Sequence, residues 1–264
     1  MQLGQPTLEA RSFASIGTDE QAWETRKAVV HAARAMRRAG LTVGSLGNVS
    51  IRTGARICVT PTRVLAADLS SEQVVVVDLE GRQETGGAPS GELPLHLEVY
   101  RRNPSLRAVV HTHSPWATAW SHLQAGIPGP TQELSYYRLG LIPCAQWAPA
   151  GSGALARRAA DALEEAPVIL LARHGVVGVG GSAGEALERC ALAEHQAQIQ
   201  WLLRLAPADR GGGVIPRARR TASRTPKLRL TTQLRHVAWS IADRRAGPAR
   251  RLGRAPLPPA AGSD

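Results

Sequence analysis

Ser90-Gly91-Glu92-Leu93-Pro94-Leu95-His96-Leu97-Glu98-Val99-Tyr100, followed shortly by Leu106-Arg107-Ala108-Val109-Val110-His111-Thr112-His113-Ser114, is the stretch on which the reading of this chain turns. It opens with a carboxylate, Glu92, directly before a helical run. It closes with two histidines after an apolar, β-branched run that reads as a buried strand. Side chains alternate faces along a strand, so His111 and His113 point the same way. Two imidazoles on one face at a strand end are what a tetrahedral metal site needs of its first two ligands. A third, His174, again follows an apolar run, Val168-Ile169-Leu170-Leu171. A lone histidine beside a strand is ordinarily a hydrogen-bonded core residue. Three in matching contexts, with Glu92 close behind Pro89, read instead as a metal site.

Outward from that stretch the punctuation is regular. Thr18-Asp19-Glu20-Gln21 has the form of a capping box opening an amphipathic helix through Ala22, Val29, Val30, Ala33 and Met36, closed by Arg37-Arg38-Ala39-Gly40. Gly44-Ser45-Leu46-Gly47-Asn48-Val49-Ser50 is a turn whose glycines admit close backbone approach. Ile57–Thr60 and Val74–Asp78 read as strands, the second a continuous β-branched run buried on both faces. A short helix is expected at 116–123 and another at 153–163, strands at 168–171 and 176–179, and a second capping box, Ser182 to Glu185, opens a long helix. His195 on that helix reads as structural.

Taken together, Gly47-Asn48-Val49-Ser50, Thr60-Pro61-Thr62, Pro89-Ser90-Gly91-Glu92, His111-Thr112-His113 and His174-Gly175 resemble the class II aldolase/adducin family, and the pattern is nearest its fuculose-phosphate aldolase branch. The motifs agree in order and spacing over roughly residues 20–205. The resemblance implies an α/β fold, a three-layer α/β/α domain around a mixed, mostly antiparallel sheet. It implies a divalent ion, Zn2+ with Mn2+ and Co2+ as alternatives, on His111, His113 and His174. Glu92 would transfer the proton, and Gly47, Asn48, Thr62, Arg63, Ser90 and Gly91 would surround the substrate's anionic group. Two of these depart from the family: Arg63 replaces a glycine and Gly91 a serine. Arg63 has two open readings, a fork binding the anion and a solvated surface residue. Tyr136 and Tyr137 lie near an active-site tyrosine position; packing inside the fold is the plainer expectation for both.

The implied reaction is reversible carbon–carbon cleavage of a phosphorylated sugar, a ketose 1-phosphate giving dihydroxyacetone phosphate and an aldehyde, with the metal as Lewis acid for the enediolate. Pentulose-phosphate epimerisation and phosphosugar dehydration or decarboxylation share this machinery; Glu rather than Asp at position 92 leans toward aldolase. A non-catalytic, adducin-like binding protein is the alternative of another class, and the intact set of three histidines and a glutamate argues against it. A homotetramer is implied by the family.

Composition places the remainder. The 264 residues suffice for one α/β domain plus an appendage. Of 32 Lys and Arg, 13 lie after Ala206, against 3 of 21 acids, so residues 1–206 hold 19 basic and 18 acidic side chains and the tail carries +10 of the net +11. Residues 207–264, rich in Arg, Pro and Gly, read as a solvated basic tail, with nucleic-acid contact as a lesser reading carried by a Leu234, Val237, Ala238, Ile241 stripe. Residues 1–17 read as a flexible leader and 18–206 as the domain. Cys58, Cys144 and Cys190 follow no paired spacing, which points to free buried thiols in a reducing compartment. No apolar run of about 18 residues or secretory pattern occurs, and a cytoplasmic protein is expected.

Overall fold

Alternation along the strands divides the apolar residues between two cores. Val49, Cys58, Val76, Ala108, Val110, Val168, Leu170 and Val176 face one side; Ile57, Val59, Val75, Val77, Val109, Ile169, Leu171, Val177 and Val179 face the other. A sheet apolar on both faces must be covered on both, which requires three layers. The computed structural model describes residues 8–129 and 131–206, the side chains of 8–18 excepted; the basic-tail reading and its apolar stripe lie outside the described residues.

The elements run α1 (Leu8–Arg38), β1 (Asn48–Thr53), β2 (Arg56–Val59), β3 (Val75–Asp78), β4 (Gln83–Thr85), α2 (Leu93–Arg102), β5 (Ala108–Thr112), α3 (Pro115–Ser121), α4 (Gln132–Tyr136), β6 (Cys144–Ala145), α5 (Gly153–Leu163), β7 (Val168–Leu171), β8 (Gly175–Gly180) and α6 (Ala183–Leu205). They form one sheet of order β4-β3-β2-β1-β5-β8-β7-β6. Only β6–β7 is parallel among the described pairs, so the sheet is mixed and mostly antiparallel, as expected. Helices α1, α3 and α6 contribute to the first core and α2 and α5 to the second.

Two local readings change. Helix α1 begins at Leu8, so Thr18 lies within it and not at its N-terminus. The capping box at Ser182 is half formed: its Oγ accepts from Glu185 N at 3.2 Å, but the Glu185 carboxylate accepts from Gly181 N at 2.8 Å instead of reaching back to Ser182. The three cysteines are free, two buried and Cys144 half-buried, and burial raises their thiols to about 11 or 12.

Sheet register builds the site. Asn48 of β1 lies opposite His111 of β5, and His111 opposite Val177 of β8. The tight β7–β8 connection then returns His174 alongside. Gly175, the first residue of β8, packs so closely on β5 that a Cβ there would overlap the Thr112 carbonyl oxygen and stand 3.1 Å from His111 Cε1. Gly175→Ala should therefore destabilise the fold by roughly 1–3 kcal/mol, read as a lowered denaturant midpoint. An unchanged midpoint would mean that β8 yields freely at this point.

Candidate active site and metal centre

Glu92 occupies the N-cap of α2, with Pro94 in the first turn and the Ser90 hydroxyl accepting from Glu92 N at 3.3 Å. His111 lies in β5 on the parity of Val109, facing α2. His113 follows the strand and is tethered by its N–H to Leu41 O at 3.1 Å. The turn beyond it is clamped from α6, where Glu194 accepts from the backbone N–H groups of Trp116 and Ala117 at 3.0 and 2.8 Å. His174 is aimed by a turn in which Arg173 takes a left-handed conformation (φ 58°) and His174 N–H donates to Leu171 O. Non-glycine residues occupy that region at a cost of about 1–2 kcal/mol, tolerated here because neighbouring strands hold both ends.

The four side chains converge. His111 and His113 Nε2 are 2.9 Å apart, Glu92 Oε2 is 3.0 Å from His111 Nε2, and Glu92 Oε1 is 3.4 Å from His174 Nε2. The three rings meet edge-on with centroids 4.6–4.9 Å apart, and one donor atom from each of the four residues lies within 4.8 Å of all the others. His111 Nδ1–H donates to Val176 O at 2.9 Å, which leaves Nε2 facing the cluster. Glu92 Oε1 is buried without a hydrogen-bond partner. Three nitrogens and an orphaned carboxylate oxygen crowded this closely fit a divalent metal cation. A backbone carbonyl holding the far nitrogen of a ligand imidazole is the usual support for such a site.

Electrostatics in the metal-free cluster follow from the same contacts. Burial opposes charge on Glu92, but His111, then His174 and Asn48, outweigh it and hold the carboxyl well below the usual range. Burial likewise opposes charge on His111, yet Glu92 prevails and its pKa is raised. Burial, with His111 and His174 as further causes, drives His113 down to about 3, and His174 is lowered by burial and His111.

The model of the Class II Aldolase and Adducin N-terminal domain matches residues 27–201. The chain belongs to the class II aldolase and adducin family. It is 36% identical over 163 residues to an L-fuculose phosphate aldolase of Methanococcus maripaludis, covering 61% of this chain and 87% of that one. It is 32% identical over 176 residues to a 5-methylthioribulose-1-phosphate/5-deoxyribulose-1-phosphate aldolase of Rhodospirillum rubrum, covering 67% and 80%. Among solved structures, L-fuculose-1-phosphate aldolase from Thermus thermophilus superposes with a TM-score of 0.63 at 29% identity, covering 70% of this chain and 98% of that one. The protein is thus a lyase of the class II aldolase type.

In this class II aldolase the remaining expected contacts are distributed unevenly. Gly47 (φ 75°) sits against β5, where a Cβ would stand 2.7 Å from the His111 carbonyl oxygen. The first loop and the second share a pocket lined by Gly44, Ser45, Gly47, Thr60 and Pro61. Ser90 N donates to Thr60 O and Thr62 N to Ala88 O, so the second and third loops are stitched together. Ser90 is buried, while Gly91, Thr62 and Arg63 are exposed. Arg63 keeps a left-handed backbone (φ 59°), the conformation a glycine at this position would adopt without strain, and points to solvent in this state.

Asn48 is only 5% exposed, and its amide is committed on both sides: Nδ2 donates to Glu92 Oε2 at 3.1 Å, and Oδ1 accepts from His96 Nε2. His96 is a site residue the sequence reading passed over. Its one signal is the Glu92-x-x-x-His96 spacing, which places it one turn into α2 on the Glu92 side. The expectation that Tyr136 and Tyr137 pack inside the fold fails: they are 76% and 41% exposed, and Tyr137 Oη donates to Glu188 on α6 at 2.9 Å. His195 is exposed on α6 and outside the cluster.

Proposed function

We propose that this lyase reversibly cleaves a ketose 1-phosphate to dihydroxyacetone phosphate and an aldehyde, with Zn2+, or Mn2+ or Co2+ in its place, held by His111, His113 and His174. The observation that carries the reading is the orphaned Glu92 oxygen facing three converging imidazoles. A divalent ion held there supplies Lewis acidity to the substrate's carbonyl side. Glu92, ionised and fixed at a helix N-cap, is the group that takes and returns the proton during cleavage. Gly47, Asn48, Thr62, Arg63, Ser90 and Gly91 anchor the phosphate and spend its binding energy on positioning the reacting carbons. In this reading Asn48 brings its second amide hydrogen to the anion, and Arg63 swings inward.

The aldolase unit is residues 18–206, the leader 1–17 and the tail 207–264 lying outside it. The assembly is a homotetramer, a reading supported by the exposure of the large apolar Val43, Leu46 and Leu65 on the loops around the anion pocket; light scattering tests it. Free thiols accord with a cytoplasmic location. The reaction is tested by incubating the metal-loaded protein with a panel of ketose 1-phosphates and detecting dihydroxyacetone phosphate enzymatically. Turnover at an ordinary enzymatic rate, about 1–10³ s⁻¹, is expected for at least one. Interconversion of pentulose phosphates without cleavage would replace the reading by epimerisation.

A further inference from the structure

Behind Glu92 runs a buried polar chain. His96 Nε2 meets Asn48 Oδ1, His96 Nδ1 lies 2.6 Å from Ser50 Oγ, and Ser50 Oγ lies 2.9 Å from Tyr100 Oη, which also donates to Ser50 O at 3.0 Å. Ser50, His96 and Tyr100 are fully buried. So much polar surface inside a core is retained only where every member is satisfied.

The direction of each bond follows from the geometry at one end, where Asn48 Nδ2 donates to Glu92 Oε2 at 3.1 Å. Asn48 Oδ1 then faces His96 and requires a hydrogen on Nε2. Burial, the largest influence on His96, lowers its pKa to about 3, so the ring is neutral and Nδ1 is an acceptor. Ser50 O–H therefore donates to Nδ1, and Tyr100 O–H, shared with the Ser50 carbonyl, stands behind Ser50. Every hydrogen points toward the Glu92 carboxylate. Because an amide side chain has no proton to exchange at these pH values, the chain is no route for protons. It acts on the position and the charge of Glu92.

We propose that His96 is the positioning residue for Glu92: acting through Asn48, with its ring locked by Ser50 and Tyr100 in the Nε2–H tautomer, it holds the carboxylate at the orientation the proton transfer requires. The kinetic consequence rests on the aldolase reading above; the tautomer does not. In 15N-histidine-labelled protein, with the His96 ring identified by its loss in His96→Gln, the Nε2–H tautomer is expected, and an Nδ1–H ring would overturn the proposal by reversing the chain. In the cleavage assay His96→Leu should lower kcat about 10–100-fold, with KM within about twofold and bound metal unchanged. His96→Gln, which keeps an N–H toward Asn48, should recover most of the loss. Wild-type kcat in His96→Leu, or a His96→Gln no better than it, would overturn the proposal. Should His96→Leu fail to fold, Ser50→Ala serves, with a several-fold fall in kcat expected and wild-type kcat overturning the idea. If wild-type protein cleaves no ketose 1-phosphate, the aldolase reading fails while the tautomer still decides the chain.

Discussion

Replacing Glu92 by Gln should lower the rate of carbon–carbon cleavage by about 10²–10⁴-fold, the usual range for removing a positioned general acid–base group. The substitution is close to isosteric. A glutamine carbonyl oxygen can still accept from Asn48 Nδ2, which reaches Glu92 Oε2 at 3.1 Å, so α2 and its N-cap should keep their places. Three imidazoles remain to hold the ion, and bound metal should stay near one per subunit. Elemental analysis beside single-turnover kinetics separates the two effects. A variant that keeps its metal and cleaves at the wild-type rate would remove Glu92 from the chemistry and leave it a structural member of the cluster.

Removing ligands should have the opposite signature. His111→Ala and His174→Ala are each expected to lose the bound divalent ion and with it at least about 10³-fold in cleavage, on the scale seen when a preorganised electrostatic element is deleted. Retention of stoichiometric metal in both would show that the ion sits elsewhere. The same cluster predicts a dependence on pH. In the metal-free protein Glu92 is held below its ordinary value of 4.5, so its contribution to stability is present above that value and lost as pH falls through the lowered one. His111 is held above its ordinary 6.5, so its contribution is complete below 6.5 and lost as pH rises through the raised value. An ion must displace the His111 proton, hence its affinity strengthens over the upper part of that window while the metal-free protein weakens. The gap in Tm between loaded and stripped protein should therefore widen from pH 6 to 8, reaching on the order of 5–10 °C at an ion concentration of about 100 Kd. A gap that narrows with pH would contradict the ion pair.

What the sequence determined by itself was local in origin. Continuous apolar runs such as Val74–Val77 mark strands buried on both faces, because neighbouring side chains on a strand face opposite cores. The two-residue spacing of His111 and His113 places both rings on one face whatever the rest of the chain does. Glu92 ahead of Leu93-Pro94 marks a helix N-terminus for the same local reason. These, with the recurring motifs around Gly47, Ser90 and His174, were enough to reach the family, the layered mixed sheet and the candidate ligands.

Tertiary structure alone decided the relations between distant segments. His96 carries the same local signature as any polar residue on an amphipathic helix, and only the packing of α2 on β1 shows that its ring meets Asn48 and Ser50, 48 and 46 residues away in sequence. Asn48 read as an anion contact from its loop, and only the fold shows that its amide also meets Glu92. Tyr136 and Tyr137 have the composition of packed residues, but among the described residues they stand 76% and 41% exposed. Thr18 has the form of a cap, but the helix passes through it from Leu8. In each case the deciding quantity was which groups burial leaves without water, and therefore in need of one another, and that is set by how layers meet.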